Sequence, residues 1–290
     1  MSFMADSFQN VSNNTLRIKS KYNAMGKAEK KIADWLLQNS GSVISMSISE
    51  FAEVCGVSEA TIVRFSRKLD YGGYQGLKLA IAQGQVSGYK IIDQNLNEDD
   101  NCAKIVYKVF LETSNTLAHT EKILDTANVE AAAKAIINAN RIVIFGLGNS
   151  ASIAIDCQHK LLRAGLDAAA YCDNHMQAIV ASHLTEKDVA IGISHSGSSV
   201  DIVEALKISK QRNAKTICLT NYGRSPIMRV SDITLFTASE ETKFRTFGLT
   251  SRIAQLCILN CIYVYIVFNQ KQKGITALME TEQAVLKKKY

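Results

Sequence analysis

Ile142-Val143-Ile144-Phe145-Gly146-Leu147-Gly148-Asn149-Ser150-Ala151 is the stretch that decides how the larger part of this 290-residue chain is read. Four consecutive apolar residues suit a strand buried on both faces, as the central strands of parallel sheets are. Two glycines one residue apart suit a tight turn, and the following polar residues suit a helix start. The run also matches G-x-G-x-x-A, so a dinucleotide site has to be weighed. That reading expects an acidic residue about 20 residues further on, and Asp173 can serve. Other phosphate-binding loops share the same strand–glycine–helix geometry.

Outward from this run the pattern repeats. Strands are predicted near Arg141–Phe145, Ala168–Tyr171, Val189–Ser194, Thr216–Thr220 and Ile233–Thr237. Helices are predicted near Val129–Asn138, Ser152–Ala164, Met176–Ser182, Ser199–Arg212 and Thr250–Phe268. Such alternation implies an α/β domain with a five-stranded, mainly parallel sheet covered on both faces. A second strand-to-helix loop, Gly192-Ile193-Ser194-His195-Ser196-Gly197-Ser198-Ser199, sets four serines around a glycine. Their hydroxyls and the free amides of a first helical turn can donate toward one point, where the helix dipole favours negative charge. Neutral donors of this kind suit a phosphomonoester. A nucleoside triphosphate site is not indicated, because GxxxxGK[ST] and a Mg²⁺ carboxylate pair are both missing. No cofactor and no metal are expected.

Upstream the reading changes. Residues 25–83 read as short helices: Lys27–Gln38, Ile48–Val54, Glu59–Leu69 and Tyr74–Gln83. Ser47 or Ser49 can cap the second, Gly56 can take a left-handed turn, and Ser58 can cap the third. Helix, glycine turn and short basic helix form a helix-turn-helix pattern. Ile62, Phe65 and Leu69 fall on one side of the third helix. Ser58, Ala60, Thr61, Arg64 and Lys68 suit the other, where hydroxyls, a methyl and basic groups can meet base edges. Arg67 and Lys78 are candidate phosphate contacts. Glu59 repels phosphate unless it caps a donor or reads cytosine.

Charge supports this division. Residues 1–90 hold 11 Lys/Arg and 7 Asp/Glu, a net of +4, while the other 200 hold 22 and 20, a net of +2. The shorter part is the more basic per residue, which favours an anionic partner for it. An apolar content of 47% excludes a wholly disordered chain, and a single proline excludes polyproline architecture. The first residues lack the charged-then-apolar order of a signal peptide. The greasiest run, Leu256–Phe268, is too short to cross a bilayer and is expected to be a buried helix. Seven cysteines at scattered spacings, with no CxxC, indicate neither a disulfide framework nor zinc. Cys257 and Cys261 read as small core residues. A cytoplasmic protein with no membrane partner is expected. The expected organisation is 1–84 helix-turn-helix, 85–127 linker and connecting helix (Cys102–Leu124), 128–270 α/β domain and 271–290 tail.

The two loops together resemble the sugar isomerase (SIS) domain, whose S-x-S-G-x-S/T pattern is met by Ser194, Ser196, Gly197 and Ser199. That resemblance implies a bound sugar phosphate, with Asn149 and Ser150 beside the phosphate and Glu241 reaching the sugar ring; Glu240 competes for that role. His195 stands where enzyme members often have Gln. Joined to the basic module, the chain resembles the RpiR family of bacterial regulators over about residues 15–270. The resemblance rests on Glu29–Leu36, Val57–Phe65, Gly73–Lys78 and Thr250–Gln255 as well. It implies operator DNA as a partner, a phosphorylated sugar as effector, and a homo-oligomer, dimer or tetramer. An aldose–ketose isomerase is the rival reading, with Glu241 and His195, His175 or His159 offered as acid and base. A nicotinamide-dependent oxidoreductase ranks third.

Overall fold

The computed structural model describes residues 13–39, 42–83, 97, 99–239, 249–286 and 288. They divide into two units, the first ending at Lys108 and the second beginning at Val109.

Ahead of α6, the described residues of the first unit form five α-helices: α1 (Asn13–Lys21), α2 (Lys27–Asn39), α3 (Ile48–Cys55), α4 (Glu59–Lys68) and α5 (Tyr74–Gln83). The starts and stops are chemically explicit. Ser47 Oγ accepts the Glu50 amide while the Glu50 carboxylate accepts the Ser47 amide, a full capping box. Gly56 then turns the chain with φ 62°, a left-handed conformation that a side chain would strain. Ser58 caps α4 by accepting the Thr61 amide. Ile32, Leu36, Phe51, Ile62, Phe65, Leu69 and Leu77 are fully buried in one core. Phe51 stacks on Tyr74 at 5.7 Å and meets Trp35 edge-on at 5.2 Å. Helix α1, not anticipated from the sequence, is fastened by polar bonds. Asn14 donates to Ala80 O at 2.5 Å and accepts from the Tyr71 hydroxyl at 2.7 Å.

Helix α6 (Cys102–Ile123) holds residues of both units. The second unit continues with α7 (Thr126–Asn138), β1 (Arg141–Gly146), α8 (Asn149–Arg163), β2 (Ala168–Tyr171) and α9 (Asn174–Ala181). Next come β3 (Asp188–Ile193), α10 (Val200–Gln211), β4 (Lys215–Asn221), the single turn α11 (Pro226–Arg229) and β5 (Ile233–Thr237). Helices α12 (Leu249–Asn269) and α13 (Gln272–Leu286) follow. All five strands are parallel, in the order β2-β1-β3-β4-β5. Because side chains alternate along a strand, each central strand feeds two cores. Ile142, Ile144, Ile191, Ile193 and Leu219 join the core that holds α7, α8 and α12. Val143, Phe145, Ala190 and Cys218 join the core that holds α9 and α10.

Three expectations change. Helix α12 is not a wholly buried core helix. Ala254, Ile258, Leu259, Ile262 and Ile266 face the core, while Ile253, Val264 and Phe268 are exposed. At 21 residues it is long and apolar enough to cross a membrane by length and composition, with 39% of its most apolar window buried. Cys257 and Cys261 are exposed rather than core residues, because they lie off the Ile258–Ile262 face. Residues 271–290, read as a tail, contain α13, whose Gly274 is buried and whose Glu282 pairs with Arg163 of α8 at 3.3 Å. Of the expected linker and connecting helix, residues 85–96 and 98 lie outside the described residues.

Candidate ligand site and nucleic-acid face

The sheet order fixes where a ligand can sit. From β1 the chain crosses through α8 to β2 on one side; from β3 it crosses through α10 to β4 on the other. Open α/β sheets bind ligands at the carboxyl ends of the strands where the crossovers diverge. Gly146, the last residue of β1, pairs in register with Ile193, the last of β3. The two loops singled out from the sequence therefore leave the sheet side by side.

The first loop, 147–148, is drawn tightly onto its helix. A Cβ at Gly146 would stand 2.5 Å from the Ser150 carbonyl oxygen, so only glycine lets α8 approach β1 this closely. Helix α8 opens at Gly148, φ 54°, which has no side chain to cap it, and its first turn contains no acidic residue. Asn149 is exposed and Ser150 half-buried. Asp173, the acidic residue offered for a dinucleotide, caps α9 instead by accepting the Met176 amide at 2.9 Å.

The second loop is held from behind. Ser194 is buried and its Oγ lies 3.1 Å from that of Ser199. Ser199 is the N-cap of α10 but makes no side-chain capping bond, since its hydroxyl faces Ser194. The first-turn amides of α10 thus receive no acceptor from their own cap. The amide of Ser198 donates to Ser196 Oγ at 3.3 Å, and Ser198 Oγ donates to the Ser196 carbonyl at 3.1 Å. Gly197, φ 59°, is buried; a Cβ there would lie 2.3 Å from Ser225 Oγ and 2.8 Å from Thr220 Oγ1. The His195 carbonyl accepts from the Asn221 amide at 3.0 Å and from Thr220 Oγ1 at 3.2 Å. His195 and Ser196 are half-buried.

Two helix starts without side-chain caps and a serine-rich loop thus stand side by side at the β1/β3 switch point, although Ser150 and Ala151 of α8 already donate to Leu147 O and Gly148 O and α10 carries Asp201 in its first turn. That arrangement offers neutral donors to an anion, with the ends of two helix dipoles behind them. Ser225, Thr220 and Asn221, which support the loop, were not singled out from the sequence. A polar residue closing a strand at this edge of the sheet is the signal that marks Asn221. Glu240 and Glu241 lie outside the described residues. His159 and His175 are exposed. Among the described residues no cluster of His, Cys, Asp or Glu is built to hold a metal.

In the helical unit the sequence-derived residues separate into groups. Ser58, Ala60, Arg64 and Arg67 are exposed on α4. Thr61 is buried; its Oγ1 lies 2.8 Å from Ser58 Oγ and accepts from Arg64 at 3.4 Å. Arg67 Nε donates to Gly72 O at 3.4 Å. Lys68 Nζ donates to Glu29 Oε2 at 2.7 Å and to Ala24 O at 2.9 Å, which holds the Glu29 carboxyl below the usual carboxylate range. Lys78 Nζ donates to Met46 O at 3.0 Å. The Glu59 carboxylate accepts from Ser49 Oγ at 2.6 Å, which ties the start of α4 to α3.

Residues 12–88 match the model of the helix-turn-helix domain of the rpiR family, and residues 135–265 match that of the SIS domain. The HTH-type transcriptional regulator HexR of Pseudomonas aeruginosa is 35% identical, over 85% of this chain and 86% of its own. The HTH-type transcriptional regulator RpiR of Escherichia coli K12 is 31% identical, over 89% and 88%. Among solved structures, the NanR protein of Vibrio vulnificus complexed with ManNAc-6P shares the fold with a TM-score of 0.80 at 23% identity, covering 96% of this chain and 100% of that one. With relatives aligned over most of both chains, and with the helix-turn-helix and SIS domains in this order, the chain belongs to the rpiR family of helix-turn-helix transcriptional regulators.

Proposed function

We propose that this protein binds operator DNA through α4 and that a phosphorylated sugar at the β1/β3 switch point controls that binding. What supports the effector half is the serine loop lying beside the first loop at the ends of β1 and β3, with both following helices lacking a side-chain cap. Ser194, Ser196, Gly197 and Ser199 surround the phosphate, Asn149 and Ser150 approach it from the first loop, and His195 lines the loop between them. The sugar-ring contact is assigned by the SIS resemblance to Glu241, with Glu240 as its competitor; both lie outside the described residues. NanR, which shares the fold, binds ManNAc-6P, an amino-sugar phosphate of this class. On the DNA side, Arg64 and Ser58 face the major groove with Ala60, and Arg67 meets phosphate. Lys68, Lys78 and Thr61 act through packing and position more than through direct contact, given their protein partners.

The pocket is a sensor and not an isomerase site; HexR and RpiR are both regulators. The protein acts in the cytoplasm as a homo-oligomer. Exposed apolar residues at the start of the second unit's part of α6, Val109, Phe110 at 72% and Leu111, supply a surface for self-association.

The test is a melting-temperature screen of the full chain against hexose, pentose and N-acetylamino-sugar phosphates, with NADH and inorganic phosphate as controls. A ligand that prefers the native state raises the midpoint, by RT ln(1 + [L]/Kd) in free energy. At least one sugar phosphate is expected to raise it, and Ser196→Ala to abolish the rise. A rise with NADH alone contradicts the reading.

A further inference from the structure

We infer that Asn221 and Thr120 tie the serine loop to helix α6, so that occupancy of the loop is transmitted to the helix that leads in sequence from the helix-turn-helix unit. This rests on the proposed effector site and names its output.

The tie has three links. The first joins the loop to β4. Asn221 is the last residue of β4, and its amide donates to the His195 carbonyl at 3.0 Å. Thr220 Oγ1 donates to the same oxygen at 3.2 Å. Two donors on one carbonyl use both of its lone pairs, so the loop backbone at His195 moves only if the end of β4 moves with it.

The second link joins β4 to the residues after β5. The Asn221 side chain grips Ser239 on both sides. Its Oδ1 accepts from the Ser239 amide at 2.9 Å, and its Nδ2 donates to the Ser239 carbonyl at 3.0 Å. Oδ1 also accepts from Thr237 Oγ1 at 3.2 Å. One amide group thereby continues the β4–β5 ladder for two residues beyond its last pair, Asn221–Thr237.

The third link reaches α6. The amide of Ala238, held between Thr237 and Ser239, donates to Thr120 Oγ1 at 3.0 Å. Thr116 and Thr120 are the buried side chains of α6, at 2% and 3% exposure. Ile105, Val106, Tyr107, Val109, Phe110 and Leu111 of the same helix are exposed. Apolar packing is non-directional and tolerates sliding, whereas a hydrogen bond to a hydroxyl fixes one rotation and one height of the helix. A displacement of the His195 backbone is therefore delivered to α6 as a discrete change at Thr120. Asn221 and Thr120 are positioning residues; neither is placed against the ligand.

The test is hydrogen–deuterium exchange of the full chain with and without glucose 6-phosphate, fructose 6-phosphate, N-acetylmannosamine 6-phosphate and inorganic phosphate. It compares wild type, Thr120→Val, which keeps the shape and loses the acceptor, and Thr120→Ser, which keeps the acceptor. In wild type a binding sugar phosphate is expected to protect 194–199 and to alter exchange over 114–123. In Thr120→Val the protection of 194–199 and the ligand affinity stay within about two-fold, while the change over 114–123 falls by about three-fold or more, as expected for loss of a coupling term alone. Thr120→Ser restores it. Full transmission in Thr120→Val overturns the tie. So does a wild type protected at 194–199 and unchanged over 114–123, a result that leaves the effector site standing and needs no variant to fold. Failure of every probe to protect 194–199 overturns the effector site and the tie together.

Discussion

Gly197 shows how far one residue decides this site. Its φ of 59° and the 2.3 Å approach of Ser225 Oγ to a would-be Cβ leave room for hydrogen alone. Gly197→Ala is expected to cost about 2–4 kcal/mol, from the left-handed conformation together with overpacking. Urea unfolding measures it, and adding Ser225→Gly should return part of the loss. Lys68 tells the opposite story. The sequence places it on the basic face of α4, yet its charge is shared with Glu29. Glu29→Gln is expected to release Lys68 and to steepen the salt dependence of DNA binding by about one phosphate contact. The same pair sets a pH effect. A carboxyl held below its unfolded pKa stabilises above that value and loses the contribution as pH falls through the folded one. Stability of the wild type should therefore drop between about pH 5 and pH 3 by more than that of Glu29→Gln, as followed by thermal melts at each pH.

At the scale of elements, α4 separates two jobs that its sequence runs together. Ser58 and Thr61 serve the helix start, through a 3.3 Å amide bond and a 2.8 Å hydroxyl contact. Arg64 is exposed. Ser58→Ala should lower stability by about 1 kcal/mol, the usual loss of an N-cap, whereas Arg64→Ala should leave the melt unchanged and weaken operator binding about ten-fold or more. Melting and DNA titration of both variants check this; equal loss of stability in both contradicts it. The elements themselves were largely legible. Strands β1 and β3 are short continuous apolar runs, one ended by glycine and the other followed by serine, and they differ plainly from the 3.6-residue period of the helices around them. What stayed hidden depends on partners far away in sequence. Helix α1 is tied to α5 through Asn14, across 66 residues. The burial of Thr61 and the exposure of Cys257 and Cys261 follow from how a helix is rotated by its neighbours. The full capping box at Ser47-x-x-Glu50 and the Asp125 cap of α7, by contrast, are local signals that the sequence itself carries.

For the whole molecule, the order of the two modules was readable, because each has its own run of elements: short helices around a glycine turn, then strands alternating with helices. The hydrogen bonds that join the serine loop to α6 within the second unit were not. Asn221, Ser239 and Thr120 are spread over 119 residues and meet only through the register of β4 and β5 and the packing of α6. A regulator of this design needs sites that are separable but coupled, and coupling of this kind is commonly worth about 1–3 kcal/mol. The most direct measurement is operator affinity of the full chain, by titration of labelled DNA selected from genomic fragments, with and without the sugar phosphate that raises its melting point. Wild type is expected to change its Kd by about five-fold or more on adding ligand, and Ser196→Ala to bind the same DNA equally well with no response. A wild-type Kd unmoved by that ligand, or a Ser196→Ala protein that has lost operator binding as well, contradicts the account.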